Sequence, residues 1–433
     1  MGAENLKLAV IGGGWAGLAA AVRATEAGHQ VTLYEMAHQW GGRARSVDVD
    51  GMTLDNGQHI LIGAYTRTLA LMATVATVDG NTTGGLHRQP LELRYPDGRG
   101  LRMPAGPAWL VFAAAVATCV GWTWRDRLAL LRASAGWALR GFSCPPGTTV
   151  AALCHRLPPA VRQLLIDPLC VAALNTPAQD ASAAVFLRVL RDALFSGRGS
   201  ADLLLPRRPL GALLPQPAVA WLQSKGAALR PGVRVDALAR SGNGWLVDGE
   251  PFDNVLLACS AAEAARLAQP HAPDWASVAG TIGYEPIVTV YLRCAGAHLP
   301  CPMTALLDSP DAPAQFAFDH GALGATPGVF AFVVSGARAW VEKGLDATGQ
   351  AVLQQALRAF AAGTWPTPPT VLRVVAEKRA TFRCTPDLQR PTSALLPGLV
   401  AAGDYVAGPY PATLEGAVRS AEGALRLLAP KAR

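Results

Sequence analysis

Charge is what this chain has least of. Only 16% of its 433 residues are Asp, Glu, Lys or Arg, against 51% hydrophobic ones. A disordered chain needs the opposite balance, so this composition demands burial. Lysine is scarcest, at positions 7, 225, 343, 378 and 431 alone. The eight cysteines, at 119, 144, 154, 170, 259, 294, 301 and 384, form no C-x-x-C pair. That spacing suits neither zinc nor an iron–sulfur cluster, so no metal site is expected and the cysteines read as buried thiols in a reducing compartment. No internal repeat or low-complexity tail is present. No apolar run reaches the roughly 20 residues of a membrane span; the nearest approach, Ala108–Trp124, has 17. Six residues before the first strand, and glycines within Leu8–Ala21, exclude a signal peptide. At this length one core no longer grows, so two or more domains are expected.

What is present begins with Leu8-Ala9-Val10-Ile11, an apolar run that breaks into Gly12-Gly13-Gly14-Trp15-Ala16-Gly17. Leu18–Ala27 then reads as a helix closed by Gly28, and Val31–Tyr34 as a second strand ending at Glu35. Strand, glycine turn, helix, strand and acid, in that order, make the dinucleotide-binding βαβ unit. Gly12 permits the tight turn, Gly14 lets a pyrophosphate approach the backbone, and Gly17 lets helix and sheet pack closely. The helix N-terminus offers free N–H groups to phosphate. Glu35 is placed to accept hydrogen bonds from a ribose diol.

The next stretch, Gly41-Gly42-Arg43-Ala44-Arg45-Ser46, resembles the extended FAD fingerprint of the superfamily of amine oxidases, protoporphyrinogen oxidases and carotene desaturases. The resemblance implies that Gly42 and Arg43 line the flavin side of the cofactor; the alternative for Arg43 is a solvated surface arginine. Asp55-Asn56-Gly57-Gln58-His59 follows a hairpin centred on Asp50-Gly51. In the superfamily this loop passes the flavin, which would bring Gly57, Gln58 and His59 to the isoalloxazine; otherwise it is ordinary turn chemistry around an interior histidine.

Between Leu91 and Leu210 there are fourteen arginines, no lysine and seven acids, which is the whole net charge of +7. Such a segment suits an anionic membrane or a pyrophosphate substrate, or it reflects nothing more than an Ala-, Arg- and Leu-rich composition. No recognition motif accompanies it, so nucleic acid is not a partner. Within it, Ala108–Trp124 carries Trp109 at one end and Trp122 and Trp124 at the other, with Arg125 and Arg127 beyond. This suits a segment in a bilayer interface, and equally a buried helix. Helices are expected over Ala151–Arg162, Ser182–Phe195, Ala218–Lys225 and Ala351–Ala361. Strands are expected over Leu229–Leu238, Asn254–Ala258, Ile282–Leu292, Ala314–Phe318, Val329–Val334 and Thr370–Ala376. Leu399–Asp404 reads as a buried strand ending in Gly403-Asp404, and Thr413-Leu414-Glu415-Gly416-Ala417 opens a last helix running to Leu428.

Taken together, Gly12–Gly17, Gly41–Ser46, Asp55–Gly63, Asp167–Pro177, Asp202–Arg207 and Gly403–Ala417 are similar to the squalene-associated FAD-dependent desaturases, the hydroxysqualene dehydroxylases. The resemblance covers nearly the whole chain. It implies an α/β fold: a discontinuous Rossmann-like FAD domain of the glutathione-reductase type (1–90, 200–270 and 380–433), a helical insertion facing substrate or membrane (91–199), and an α+β substrate sheet domain (271–379). It implies noncovalent FAD, with Val235 under the adenine, Gly403 and Asp404 on the ribityl–phosphate side, and Leu414 and Glu415 at a helix N-terminus facing the flavin pyrimidine. It implies the step from hydroxysqualene to squalene that feeds hopanoids, with hydride replacing an allylic hydroxyl. That departure needs a proton donor and exclusion of water. His59 comes first as donor and Tyr65 second, with Asp167 and Glu415 behind. No second glycine-rich unit marks a site for NADPH, the candidate external reductant. The implied partners are a long-chain isoprenoid, the membrane surface and the upstream squalene-pathway enzymes, and the implied location is cytoplasmic, on the inner face of the bacterial membrane. The competing readings are a carotenoid or other isoprenoid desaturase, an amine oxidase using Lys343 or Lys378, and a non-catalytic flavoprotein that carries substrate between partners.

Overall fold

The computed structural model describes residues 5–49, 51–76, 85–104, 106–195 and 197–428. The chain opens with β1 (Lys7–Ile11), α1 (Trp15–Glu26) and β2 (Gln30–Glu35). A hairpin of β3 (Ser46–Val49) and β4 (Met52–Asp55) follows, pairing Ser46 with Asp55 and Val49 with Met52. The turn residue Asp50 lies outside the described residues. Next come α2 (Thr66–Val75), α3 (Ala108–Thr118), α4 (Trp124–Leu139), α5 (Asp167–Leu174) and α6 (Ala183–Phe195). The chain returns to strands with β5 (Ala228–Pro231), β6 (Asn254–Leu257), β7 (Tyr284–Arg293), β8 (Met303–Ala305), β9 (Phe316–Asp319), β10 (Val329–Val334), β11 (Thr370–Phe382), β12 (Ala394–Leu396) and β13 (Leu399–Ala401). It closes with α7 (Leu414–Leu428).

Six strands form one sheet in the order β5-β2-β1-β6-β13-β12. The first five run parallel and β12 is an antiparallel edge. Both faces are covered: Leu8, Val10, Leu33 and Leu256 are buried on one and Ala9, Val255 and Leu257 on the other, as parallel strands require. The strands beside β1 come from distant parts of the chain, β2 directly after it and β6 from the chain's middle. That divergence leaves a crevice beyond the carboxyl end of β1, where doubly wound sheets bind ligands. The fold is therefore α/β around a parallel sheet to which both ends of the chain contribute.

The second sheet is antiparallel, in the order β8-β9-β10-β7-β11. Its residues alternate between faces with period two. Ala317, Phe330 and Phe332 pack with Val352, Ala356 and Phe360 on one side. Phe316, Phe318 and Val333 point to the other side, into a cavity shared with the first sheet.

Several sequence expectations are corrected. Ala108–Trp124 is not one helix. α3 stops at Thr118, and a capping box restarts the chain: Thr123 N–H donates to Asp126 Oδ2 (2.8 Å) and Asp126 N–H donates to Thr123 Oγ1 (3.3 Å). No described helix is long and apolar enough to cross a membrane. Trp109 and Trp124 are exposed, but Trp122 is buried, because the turn folds it inward.

The helix expected over Ala151–Arg162 is only a short turn at Val150–Leu153 and another at Pro159–Val161. A π-helical stretch, Arg162–Ile166, then runs into α5. Pro168 has no N–H to give to the preceding turn, which fits the widened ladder. α5 ends at Asn175, in the left-handed conformation at φ 47°. The strand expected over Leu229–Leu238 breaks after Pro231, where Gly232 takes φ +75°. β11 runs past Ala376 to Phe382, because pairing with β7 continues after the apolar pattern has ended.

Candidate functional site

A cavity of about 700 Å³ opens beyond the carboxyl ends of β1 and β2 and continues to the second sheet. Gly12, Gly14, Trp15, Ala16 and Glu35 line its first end. Glu35 is held for this role: its two carboxylate oxygens accept from Gly13 N–H (2.7 Å) and Ala37 N–H (2.8 Å). A Cβ on Gly14 would meet no described protein atom closer than 3.9 Å and would project into open space. This is the cradle a diphosphate needs. Gly13 and Gly17 do not line the cavity. A Cβ on Gly17 would overlap the Gly12 carbonyl oxygen, and one on Gly13 would overlap the Trp40 ring. Those two glycines serve packing.

Gly41 and Gly42 lie against the same turn, with Gly41 N–H donating to Gly13 O (2.9 Å). The following two arginines behave differently. Arg43 donates to the carbonyls of Arg379 (3.3 Å) and Ala380 (3.1 Å) and pairs with Asp404. Its guanidinium is thus largely committed to binding β11 to the first sheet. Arg45 also lines the cavity, yet its buried Nε has no hydrogen-bond partner and no described acid pairs with it. Its backbone is clamped instead, N–H to Asn56 Oδ1 (3.2 Å) and carbonyl to Asn56 N–H (3.0 Å).

Gly57, Gln58 and His59 all line the cavity. His59 Nδ1 lies 2.6 Å from Gly57 O. A carbonyl only accepts, so Nδ1 carries the proton and Nε2 is the free position. Burial pushes the His59 pKa down, and the Gly57 contact only partly offsets it. Gln58 Oε1 accepts from His320 Nε2 (3.3 Å), so the free end of the Gln58 amide is its NH2 group. Burial takes His320 down to about 4, which keeps its ring neutral.

Tyr65 stands edge-on to Tyr410, with ring centroids 6.1 Å apart, and both line the cavity with Thr413 and Leu414 at the start of α7. Burial raises the Tyr65 pKa further above its ordinary value. Glu415 does not reach the cavity. Its carboxylate is fully buried and accepts from Arg67 N–H (3.1 Å), Thr68 N–H (2.8 Å), Thr68 Oγ1 (2.8 Å) and Arg419 Nε (2.6 Å). Asp167 is also outside the cavity lining. Neither carboxylate can act as the proton donor from there. Val235 lines the cavity, but its carbonyl already accepts from Arg266 (2.6 Å), which leaves its N–H as the free backbone group.

Apolar side chains dominate the far lobe. α5 contributes Leu169, Ala172 and Ala173, α6 contributes Val185 and Val189, and the second sheet contributes Phe316, Phe318 and Val333. No lysine is among the lining residues. Lys343 stacks on Trp340 (4.0 Å) and Lys378 is exposed on β11; Lys431 lies outside the described residues.

Sequence reading missed Arg45, Asn175, Asp192, Tyr284, Glu377, Arg379, Thr381, Tyr405 and Tyr410, all of which line the cavity. For Glu377–Thr381 the usable signal was weak, because charged residues interrupt the strand pattern. For Tyr410 there was none: it sits in a loop and takes a left-handed φ of 57° that its residue type does not advertise.

Comparison with known proteins gives a consistent set of likenesses. Residues 15–426 match the family model described as flavin containing amine oxidoreductase. The chain is 30% identical to the hydroxysqualene dehydroxylase of Rhodopseudomonas palustris over 97% of both chains. It is 29% identical to the hydroxysqualene dehydroxylase of Sinorhizobium fredii over 95% of both. Among solved structures, an oxidoreductase from Methanosarcina mazei superposes with a TM-score of 0.73 at 15% identity, covering 97% of this chain and all of that one. At that identity the last likeness speaks for the fold.

Proposed function

Because the chain belongs to the flavin-containing amine oxidoreductases, and within them to the hydroxysqualene dehydroxylases, we propose that it converts hydroxysqualene to squalene using reduced, noncovalent FAD. The observation that carries the reading is the single continuous cavity. It joins a diphosphate cradle and a fixed ribose-binding acid to a hydrocarbon lobe without a lysine.

Bound FAD, once reduced, supplies the hydride. The chain does the rest. Glu35 holds the ribose diol, and the α1 N-terminus with the open face of Gly14 receives the diphosphate. Arg45, the cavity arginine rooted beside that turn and lacking an acidic partner, supplies its countercharge. Gly42, Arg43, Asp404 and Leu414 flank the remaining length, and Val235 lies at the adenine end. The apolar walls of the 91–199 insertion and the 271–379 sheet exclude water from a carbon that is losing its hydroxyl. His59, once protonated at Nε2, delivers the proton that lets the hydroxyl depart as water; Tyr65 is the reserve donor.

An isoprenoid desaturase would use the same cradle and lobe, so the substrate decides between them. The amine oxidase reading loses its lysine, since neither Lys343 nor Lys378 lines the cavity. The substrate is a membrane-soluble hydrocarbon, and the exposed Trp109, Leu110, Val120 and Trp124, with Arg125 beside them, form the surface by which the protein sits on the cytoplasmic face of a membrane. There it receives its alcohol from the preceding enzyme, and NADPH is the proposed source of reducing equivalents.

The test is to supply hydroxysqualene, squalene and phytoene separately to reduced and oxidised holoprotein and to follow products. Squalene formed from hydroxysqualene by the reduced protein alone is the expected result. Phytoene desaturated by the oxidised protein, with hydroxysqualene untouched, would replace this reading with the desaturase one.

A further inference from the structure

The wall that α6 gives to the cavity consists of Val185, Val189, Asp192 and Ala193, which share one helix face. Three are hydrocarbon. The fourth is a carboxylate only 6% exposed. Burying a carboxylate in an apolar wall is costly unless its lone pairs are met. On the solvent side they are met: Arg188 Nε donates at 2.8 Å and Arg191 Nε lies at 3.6 Å. Both arginines are more than two-fifths exposed, so they reach the carboxylate from outside.

On the cavity side the Tyr410 hydroxyl donates a hydrogen bond to the same carboxylate, whose two oxygens together keep acceptor capacity for a further donor. Tyr410 is itself immobilised. Its carbonyl accepts from Thr413 Oγ1 (2.7 Å), Arg419 lies 4.8 Å from its ring centroid, and Tyr65 meets it edge-on. The carboxylate is therefore held from behind and presented, beside a fixed phenol, on an α6 wall that is otherwise hydrocarbon. A cavity made only for an alkene would gain nothing from it, and Leu or Val at this position would continue the face.

We propose that Asp192 is the alcohol-recognising group of the cavity: it accepts a hydrogen bond from the one hydroxyl of an otherwise hydrocarbon ligand, and so ranks the alcohol above the matching hydrocarbon. The inference takes its substrate class from the dehydroxylase reading and sharpens it, because a desaturase substrate has no hydroxyl to offer. Anchoring the hydroxyl also fixes which carbon of a long, featureless chain is presented for reaction. No bond changes at Asp192. It binds, and the proton for departure comes from elsewhere.

The experiment uses hydroxysqualene and squalene as a matched pair, titrated into oxidised holoprotein and followed by the perturbation of the flavin absorption band. Wild type should bind the alcohol about tenfold to a hundredfold more tightly than the hydrocarbon, the range expected for a hydrogen bond to a charged group. In Asp192→Leu the ratio should fall to near one, through loss of alcohol affinity with squalene binding kept or tightened. Asp192→Asn, which still accepts a hydrogen bond, should keep part of the preference. An Asp192→Leu protein that retains the wild-type ratio overturns the proposal. So does one that loses both ligands equally along with its flavin, which would make Asp192 a structural partner of Arg188. Failure of the dehydroxylase reading shows separately: wild type would prefer the alcohol in binding yet form no squalene from it when reduced.

Discussion

Thr68 gives both its backbone N–H and its hydroxyl to one oxygen of Glu415, each at 2.8 Å, across 347 residues of chain. The contact ties the first turn of α2 to the first turn of α7. Glu415 caps one helix from within another, and its remaining oxygen takes Arg67 N–H and Arg419. Glu415→Ala would leave the buried Thr68 N–H and hydroxyl unmet and free the half-buried Arg67 N–H and Arg419. We expect a loss of about 3–5 kcal/mol, the range for breaking a buried charged network. Glu415→Gln, which keeps an acceptor, should lose less. Urea unfolding of the two variants measures the difference.

Gly14 and Gly17 should fail in different ways. The Gly14→Ala and Gly14→Val proteins should fold and melt like the flavin-free wild type, because the added carbons enter open space. They should carry little or no flavin. Gly17→Ala should instead be unstable even without cofactor, because its Cβ overlaps the Gly12 carbonyl. Flavin content and apoprotein melting temperature, taken together, separate the cases. A Gly14→Val protein with stoichiometric FAD would remove the cradle from the cofactor assignment.

Asp55 makes stability depend on pH. Burial pushes its pKa up to about 7, although Leu210 N–H and Ser46 both donate to it and pull the other way. Unfolded, it titrates near 3.9. The folded state thus prefers the protonated acid. Asp55 contributes its full stability below about pH 4 and loses it as the pH rises through about 7. Asp55→Asn should flatten that dependence and gain on the wild type at pH 8. Denaturant midpoints between pH 5 and 8 test this; parallel curves for the two proteins would mean the carboxyl stays ionised.

His59 makes turnover depend on pH. Its Nε2 must be protonated to donate, and burial lowers its pKa, so the active fraction grows as pH falls and is half-maximal below the usual value near 6.5. His59→Ala should cut turnover by about 10²–10⁴-fold with flavin retained. If the variant keeps the wild-type rate and pH profile, Tyr65→Phe is the next protein to assay. Loss of flavin from His59→Ala would make His59 a cofactor ligand.

The exposed tryptophans at the starts of α3 and α4 predict a liposome phenotype. Trp109→Ser with Trp124→Ser should release the protein from anionic vesicles while leaving FAD in place. Trp122→Ser should destabilise the protein, since Trp122 is buried. Wild-type protein that never sediments with such vesicles would assign this surface to another partner.

Much of the nucleotide end was legible in the residues because its determinants are local. Glycine at a strand-to-helix turn, an apolar run on either side and an acid at the second strand's end act within one 30-residue unit, and the backbone offers few other ways to arrange them. The family resemblance, not local chemistry, implied that both ends of the chain share a domain. What tertiary structure decided was which side chains remain free. Arg43 and Arg45 are two residues apart and alike in type, and only the return of β11 commits one and leaves the other unpartnered. Glu415 sits in a motif that suggests cofactor contact, and the position of α2 turns it inward. Asp192 is in sequence one acid of the helix expected over Ser182–Phe195, four residues after Arg188, and only the packing of α6 places it in the cavity wall. Each outcome depends on a neighbour more than a hundred residues away or on the angle of a helix, and the periodicity of the chain encodes neither.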